Sequence, residues 1–182
     1  MIPFPAEKYA VIYADPPWSY RNKGTRAAAD RHYSTMSIED IKSLPVADIA
    51  AENCVLFLWA TFPMLPEALE TIKAWGFRYK TLGFLWVKLN RLRETLFWGL
   101  GNWTRSNPEV CLLAIKGKPK RVCAGVHSVV IAPVMRHSQK PGKVQERIVR
   151  LMGDVPRIEL FARERAPGWD AWGNEVQEEE LE

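Results

Sequence analysis

Residues 9–18 read YAVIYADPPW. Residues 9–14 form a short, near-continuous apolar run without alternation. That is the pattern of a strand buried on both faces rather than one. The run stops at Asp15-Pro16-Pro17-Trp18, where two prolines fix φ and offer no backbone donor to a ladder. A strand covered on both faces implies a sheet with helices on each side. In such sheets ligands gather beyond the carboxyl ends of the strands. Asp15 therefore stands at the expected functional edge, together with the segment after Phe161.

The neighbouring segments support that frame. Residues 19–36 show no periodicity and read as a long loop, a kind that is commonly functional. Ser37 is placed to cap a short helix, with Asp40 three residues on. Residues 54–59 (CVLFLW) form a second buried strand. Pro66 suits the first turn of a helix running to Trp75, and Gly76 suits its end. Residues 77–87 and 109–116 read as the third and fourth strands. Pro141 opens the helix KVQERIVRLM, Gly153 stops it, and residues 157–162 supply a final strand. Strands alternating with helices predict an α/β fold with a mostly parallel sheet.

The chain has 182 residues, which suits one domain with one core. A 47% apolar and 25% charged composition excludes disorder, collagen and coiled coil as the main state. Lys and Arg number 25 and Asp and Glu 21. Five of the acids lie in residues 175–182 (EVQEEELE), without which the balance is +9. Residues 88–150 carry 13 Lys and Arg against three acids. A basic central region with an acidic tail points to a polyanionic partner, nucleic acid above all, against the alternative of a solvated surface. Cys54, Cys111 and Cys123 show no CxxC pairing and no ligand spacing with His32, His127 or His137, so no metal site is expected. They read as thiols of a reducing compartment. The N-terminus lacks the pattern of a signal peptide, and the run from Cys54 to Pro66 is too short to span a membrane. A soluble, cytoplasmic protein without a membrane partner is the expectation.

Asp15-Pro16-Pro17-Trp18 has a plain reading as a turn. Each residue also suits one particular reaction. The exocyclic amine of adenine is a poor nucleophile because its lone pair is delocalised into the ring. A carboxylate can accept one amine hydrogen and a carbonyl of Pro16 or Pro17 the other, which localises the lone pair. Trp18 offers a flat face for an extruded base.

This motif resembles the catalytic motif of the MT-A family of adenine-N6 methyltransferases, which includes the mRNA adenosine methyltransferase catalytic subunit and small bacterial and phage members. The resemblance continues in HYSTMSIEDIKSLPV (32–46), VLFLWAT (55–61), FLWVKLN (84–90), GLGNWTRSNPEVCLLAIKG (99–117), HSQKP (137–141), IELFAR (158–163) and WGNE (172–175). It implies a circularly permuted, Rossmann-like methyltransferase that uses S-adenosylmethionine, with the catalytic strand first and much of the cofactor half last. It assigns residues 1–174 to the methyltransferase domain and leaves 175–182 as an acidic tail. Aspartate at the motif's head favours adenine over cytosine in related enzymes. The expected polymer is DNA, with RNA as the alternative. A non-catalytic nucleic-acid-binding subunit is the rival of a different class, and a homodimer or partner subunit fits the absence of an evident target-recognition domain.

The resemblance also carries over site residues. Asp15, Pro16, Pro17 and Trp18 are expected to be catalytic. Asp15, Lys88, Ser138, Lys140, Glu159, Arg163, Asn174 and Glu175 are expected at the cofactor. Lys88 and Lys140, with Ser138 capping, suit its carboxylate; Glu159 suits its ribose hydroxyls. Only 14 residues precede Asp15, with Glu7 their sole acid, so the cofactor adenine is expected to fall to Asn174 and Glu175. Tyr20, His32 and Tyr33 are expected to close over the target base. GLGNWTRSNPE is placed on the opposite wall. The dense basic cluster of Lys116, Lys118, Lys120 and Arg121 suits phosphates, with an ordinary hairpin tip as the competing explanation.

Overall fold

A computed structural model describes residues 3–19, 36–101, 103–135 and 139–176. In chain order the elements are β1 (Tyr9–Ala14), α1 (Ile38–Ser43), α2 (Val46–Ile49), β2 (Ala50–Ala60), α3 (Leu65–Ala74), β3 (Arg78–Asn90), β4 (Arg93–Leu96), β5 (Glu109–Lys116), β6 (Val129–Pro133), α4 (Lys143–Met152), β7 (Arg157–Leu160) and β8 (Asp170–Trp172). Among the described residues they form one eight-stranded sheet. Its main path is β4-β3-β5-β2-β1-β7-β8, and β6 pairs with β3.

The central strands carry apolar residues on both faces because both faces are covered. Ile12, Ala14, Leu56, Leu58, Leu112 and Ile158 face a core shared with Ile41 of α1, Ile49 of α2 and Ile72 of α3. Val11, Tyr13, Phe57, Trp59, Phe84 and Trp86 face a second core closed by Val144, Ile148 and Met152 of α4. Those three α4 residues recur every four positions along one helix face. The helix signals act as expected. Ser37 accepts from the Asp40 backbone N–H at 3.0 Å, α3 carries proline in its first turn, and Gly153 closes α4 at φ +83°.

The sheet is mixed rather than parallel throughout. β1 runs parallel to β2 and β7, β7 to β8, and β3 to β6. β5, however, is antiparallel to both of its neighbours, β2 and β3, and β4 is antiparallel to β3. The cause is the connection. Parallel neighbours need a long crossover, usually helical, and among the described residues no helix lies between β3 and β5. One rim of the sheet therefore gathers the carboxyl ends of β1, β2, β3, β6, β7 and β8 with the amino end of β5.

Candidate active site

Asp15 follows β1 directly, two residues beyond Tyr13 and so on the same face, toward α4. The chain between β6 and α4 brings Lys140 over it. Lys140 Nζ lies 2.7 Å from Asp15 Oδ2 and 3.3 Å from Glu109 Oε2. Lys88, near the end of β3, reaches the other oxygen of Glu109 at 2.5 Å. The two ammoniums also sit over aromatic faces, Lys140 5.5 Å from the Trp59 ring centroid and Lys88 5.0 Å from that of Trp86. The result is a chain of four alternating charges, Asp15–Lys140–Glu109–Lys88, on the rim.

Burial and pairing set the protonation of this chain. Desolvation raises the Asp15 carboxyl above its ordinary range, and Lys140 opposes that rise. Burial would also raise Glu109, but Lys140 and Lys88 outweigh it and hold the group low. Lys140 itself loses hydration, yet Asp15 and Glu109 push its ammonium upward. Its charged form is therefore secure at neutral pH.

Glu159 lies opposite Tyr13 in the β1–β7 ladder, which puts it on the same face. It accepts from Gln145 Nε2 of α4 at 2.5 Å. Burial first, then the nearby Asp15 charge, push its carboxyl up to about 7. Arg163 and Glu175 are 3.9 Å apart on the same edge. Asn174 stands in the exposed turn after β8. At Gly173 a Cβ would lie 2.1 Å from the carbonyl oxygen of Ala162, so only glycine lets the two segments approach this closely.

The proline turn is rigid. Pro16 O accepts from Trp18 N at 2.8 Å, and Pro17 O accepts from Met36 N at 3.2 Å. Each carbonyl retains a second lone pair. Trp18 lies beneath the turn. Only 6% of it is exposed, it belongs to the core, and its indole N–H donates to Trp59 O at 3.0 Å. The Trp59 indole in turn donates to the Tyr13 hydroxyl at 2.7 Å, so hydrogen bonds tie the turn to both cores.

The basic cluster lies away from the rim. Lys118, Lys120 and Arg121 follow β5, whose last residue pairs with Cys54 near the start of β2. Because β5 is antiparallel, they lie at the opposite end of the sheet from Asp15, roughly 23 Å away along the strand. Lys116 is occupied structurally, donating to the Ala47 and Ala50 carbonyls. The same reversal brings Glu109 to the rim, a residue that the sequence alone does not single out. Its signal is SNPEV, where a glutamate opens an apolar strand. Asn107, Trp59, Tyr13 and Gln145 escape sequence reasoning for the same reason: each is recognisable only once the rim is assembled. Tyr20, His32, Tyr33 and Ser138 lie outside the described residues.

Comparison with known proteins adds an independent line. The MT-A70 family profile matches residues 9–175. The type II methyltransferase M.MunI of Mycoplasma sp is 33% identical, across 98% of this chain and 82% of its own length. An N(6)-adenosine-methyltransferase MT-A70-like protein of Drosophila melanogaster is 31% identical across 93% of this chain and 27% of its own. The human N(6)-adenosine-methyltransferase catalytic subunit METTL3 is 30% identical across 93% of this chain. This chain spans only 28% of that human protein.

Proposed function

This chain belongs to the MT-A70 family, and from that premise we propose that it transfers a methyl group from S-adenosylmethionine to the N6 amine of adenine in DNA. The observation that carries the reading is the position of Asp15. It is a carboxylate at the end of a doubly buried strand, backed by two prolines and held by a buried lysine. DNA is preferred because M.MunI is matched along most of its own length. The match to METTL3 makes RNA the second polymer to test.

The rim suits the cofactor's chemistry. Lys88 and Lys140 offer ammoniums for a carboxylate, and Glu159 offers an acceptor for ribose hydroxyls. Arg163, Asn174 and Glu175 flank the outer edge and would meet the ribose and adenine. When bound, S-adenosylmethionine supplies an electrophilic methyl group on a sulfonium.

The chain's own residues then activate the amine. Asp15 accepts one N6 hydrogen and a proline carbonyl accepts the other, through the lone pair that the turn leaves over. The nitrogen lone pair is thereby localised and aimed at the methyl group; as the N–CH3 bond forms the S–CH3 bond breaks to leave a thioether, and the amine gives up one proton to solvent. Proline rigidity fixes the acceptor geometry before substrate arrives, which is where a preorganised site gains most. Trp18 acts beneath the turn as its support. Residues 1–174 serve as the methyltransferase domain, circularly permuted so that the catalytic strand comes first, with 175–182 as an acidic tail.

The test is incubation of the full chain with labelled S-adenosylmethionine and, separately, DNA and RNA, followed by identification of the modified base. N6-methyladenine formed by the wild type and absent with Asp15→Ala is the expected result. Cofactor binding without transfer to either polymer would favour a non-catalytic subunit.

A further inference from the structure

α4 meets the candidate active site at its amino end, where the chain from Lys140 enters the helix. Val144, Ile148 and Met152 turn into the second core. Gln145 stands beside Val144 on the flank of that stripe and is half-buried. An amide placed there has to find a partner. Its Nε2 donates to Glu159 Oε2 at 2.5 Å, which links the first turn of α4 to β7.

Glu159 stands among groups of mixed charge. Tyr13 lies opposite it in β1, and the Asp15 carboxylate follows β1 on the same face. Lys140 acts on it from the segment before α4 and Glu164 from the segment after β7, while β8 sets the uncharged Ala171 opposite it. Burial, Asp15 and Glu164 favour its protonated form. Two groups oppose them. The Gln145 hydrogen bond is the stronger, and Lys140, already paired with Asp15 and Glu109, acts less. The balance falls at about 7, so at neutral pH one hydrogen bond changes which form prevails.

We propose that Gln145 is a positioning residue for S-adenosylmethionine: its amide keeps Glu159 an anionic acceptor and occupies one carboxylate oxygen, leaving the other for the ribose hydroxyls. The inference rests on the adenine-methyltransferase reading, which gives Glu159 that ligand. An ionised carboxylate offers about four acceptor sites, and a protonated one gives up part of them to its own O–H. Gln145 takes one site and preserves the rest. An apolar side chain in its place could fill the space, but the carboxylate would lose its donor and burial would then protonate it.

Two measurements on the full chain test this. Carbon-13 NMR of the ligand-free protein, labelled in its glutamate carboxyls, follows the titration of Glu159, identified by the resonance missing from Glu159→Gln. Gln145→Met should move that midpoint upward by about one pH unit or more, the scale of a hydrogen bond to a charged group. Gln145→Lys restores a donor and adds a positive charge, so its midpoint should lie at or below the wild-type value. Calorimetry with S-adenosylhomocysteine should show Gln145→Met binding about fivefold more weakly near pH 7 and almost as the wild type near pH 9, where both proteins hold the carboxylate. A residue that only packed α4 against β7 would leave the NMR midpoint in place and weaken binding equally at both pH values, and either result overturns the proposal. The lysine variant decides alone if the methionine variant does not fold: a midpoint above the wild-type value overturns the proposal. Wild-type methyl transfer alongside an unmoved midpoint removes the role of Gln145 and leaves the adenine-methyltransferase reading standing. A wild type that binds no S-adenosylhomocysteine overturns that reading, and this proposal with it.

Discussion

Asp15 and Trp18 are three positions apart and do different work, which their variants should separate. Asp15→Ala removes the acceptor for the amine hydrogen, so methyl transfer should fall by a factor of about 100 or more, the range for loss of one preorganised polar group. Folding and S-adenosylhomocysteine affinity should change little. Near wild-type turnover would remove Asp15 from the mechanism. Trp18→Phe keeps an aromatic face but loses the donor to Trp59 O. It should cost about 1–3 kcal/mol in denaturant unfolding, because a buried hydrogen bond is lost and the smaller ring leaves a cavity. A residue that only stacked on the base would lose turnover at unchanged stability, and that outcome would restore Trp18 to the substrate. Lys140→Met should raise the Asp15 carboxyl further, since burial then acts without its largest opponent. The pH at which activity appears should move upward.

β5 shows how one strand direction rearranges a site. Replacing Lys118, Lys120 and Arg121 together by alanine should leave turnover and the salt dependence of DNA binding as in the wild type, because these residues follow the end of β5 remote from Asp15. A flattened salt slope in that variant would put nucleic acid at the wrong end of the sheet for the chemistry. The bounds of β5 and β1 are legible in the sequence because doubly buried strands are apolar throughout, and the ends of α3 and α4 are legible in Pro66, Gly76 and Gly153. Direction is not, since EVCLLAIK reads equally well either way. The usable clue is negative: residues 97–108 hold no helical period, so no crossover joins β3 to β5. β4 escapes sequence reading because all four of its residues are exposed, and β8 because three residues are too few to show a pattern. The Asp15 motif, Lys88, Lys140 and Glu159 can be named from sequence. The bridging of Lys140 and Lys88 by Glu109 cannot, because it depends on β5 running backward.

The two cores meet at the central strands, so titration at the rim reports on the stability of the whole fold. Glu159 makes this measurable. Its ordinary value is 4.5, and burial with the Asp15 charge brings it to about 7 in the folded protein. Between those values the folded state holds a proton that the unfolded chain has released. The stabilising contribution is therefore complete below about pH 4.5 and is lost as pH rises through about 7. Glu159→Gln should remove that part of the pH dependence and make the ligand-free protein relatively more stable at pH 8. A cationic ligand should act in the opposite sense to the Asp15 charge. A sulfonium near Glu159 favours the carboxylate, so binding S-adenosylmethionine near pH 7 should release a proton, and binding the uncharged thioether S-adenosylhomocysteine should release less. Calorimetry in buffers of different ionisation enthalpy measures both quantities. At a hundredfold excess over Kd the cofactor should add about 2.7 kcal/mol to the unfolding free energy by mass action. Glu159→Gln should lose both the proton release and the difference between the two ligands. Equal proton release by the two ligands in the wild type would mean that the sulfonium sits away from Glu159 and that the cofactor does not lie along β7.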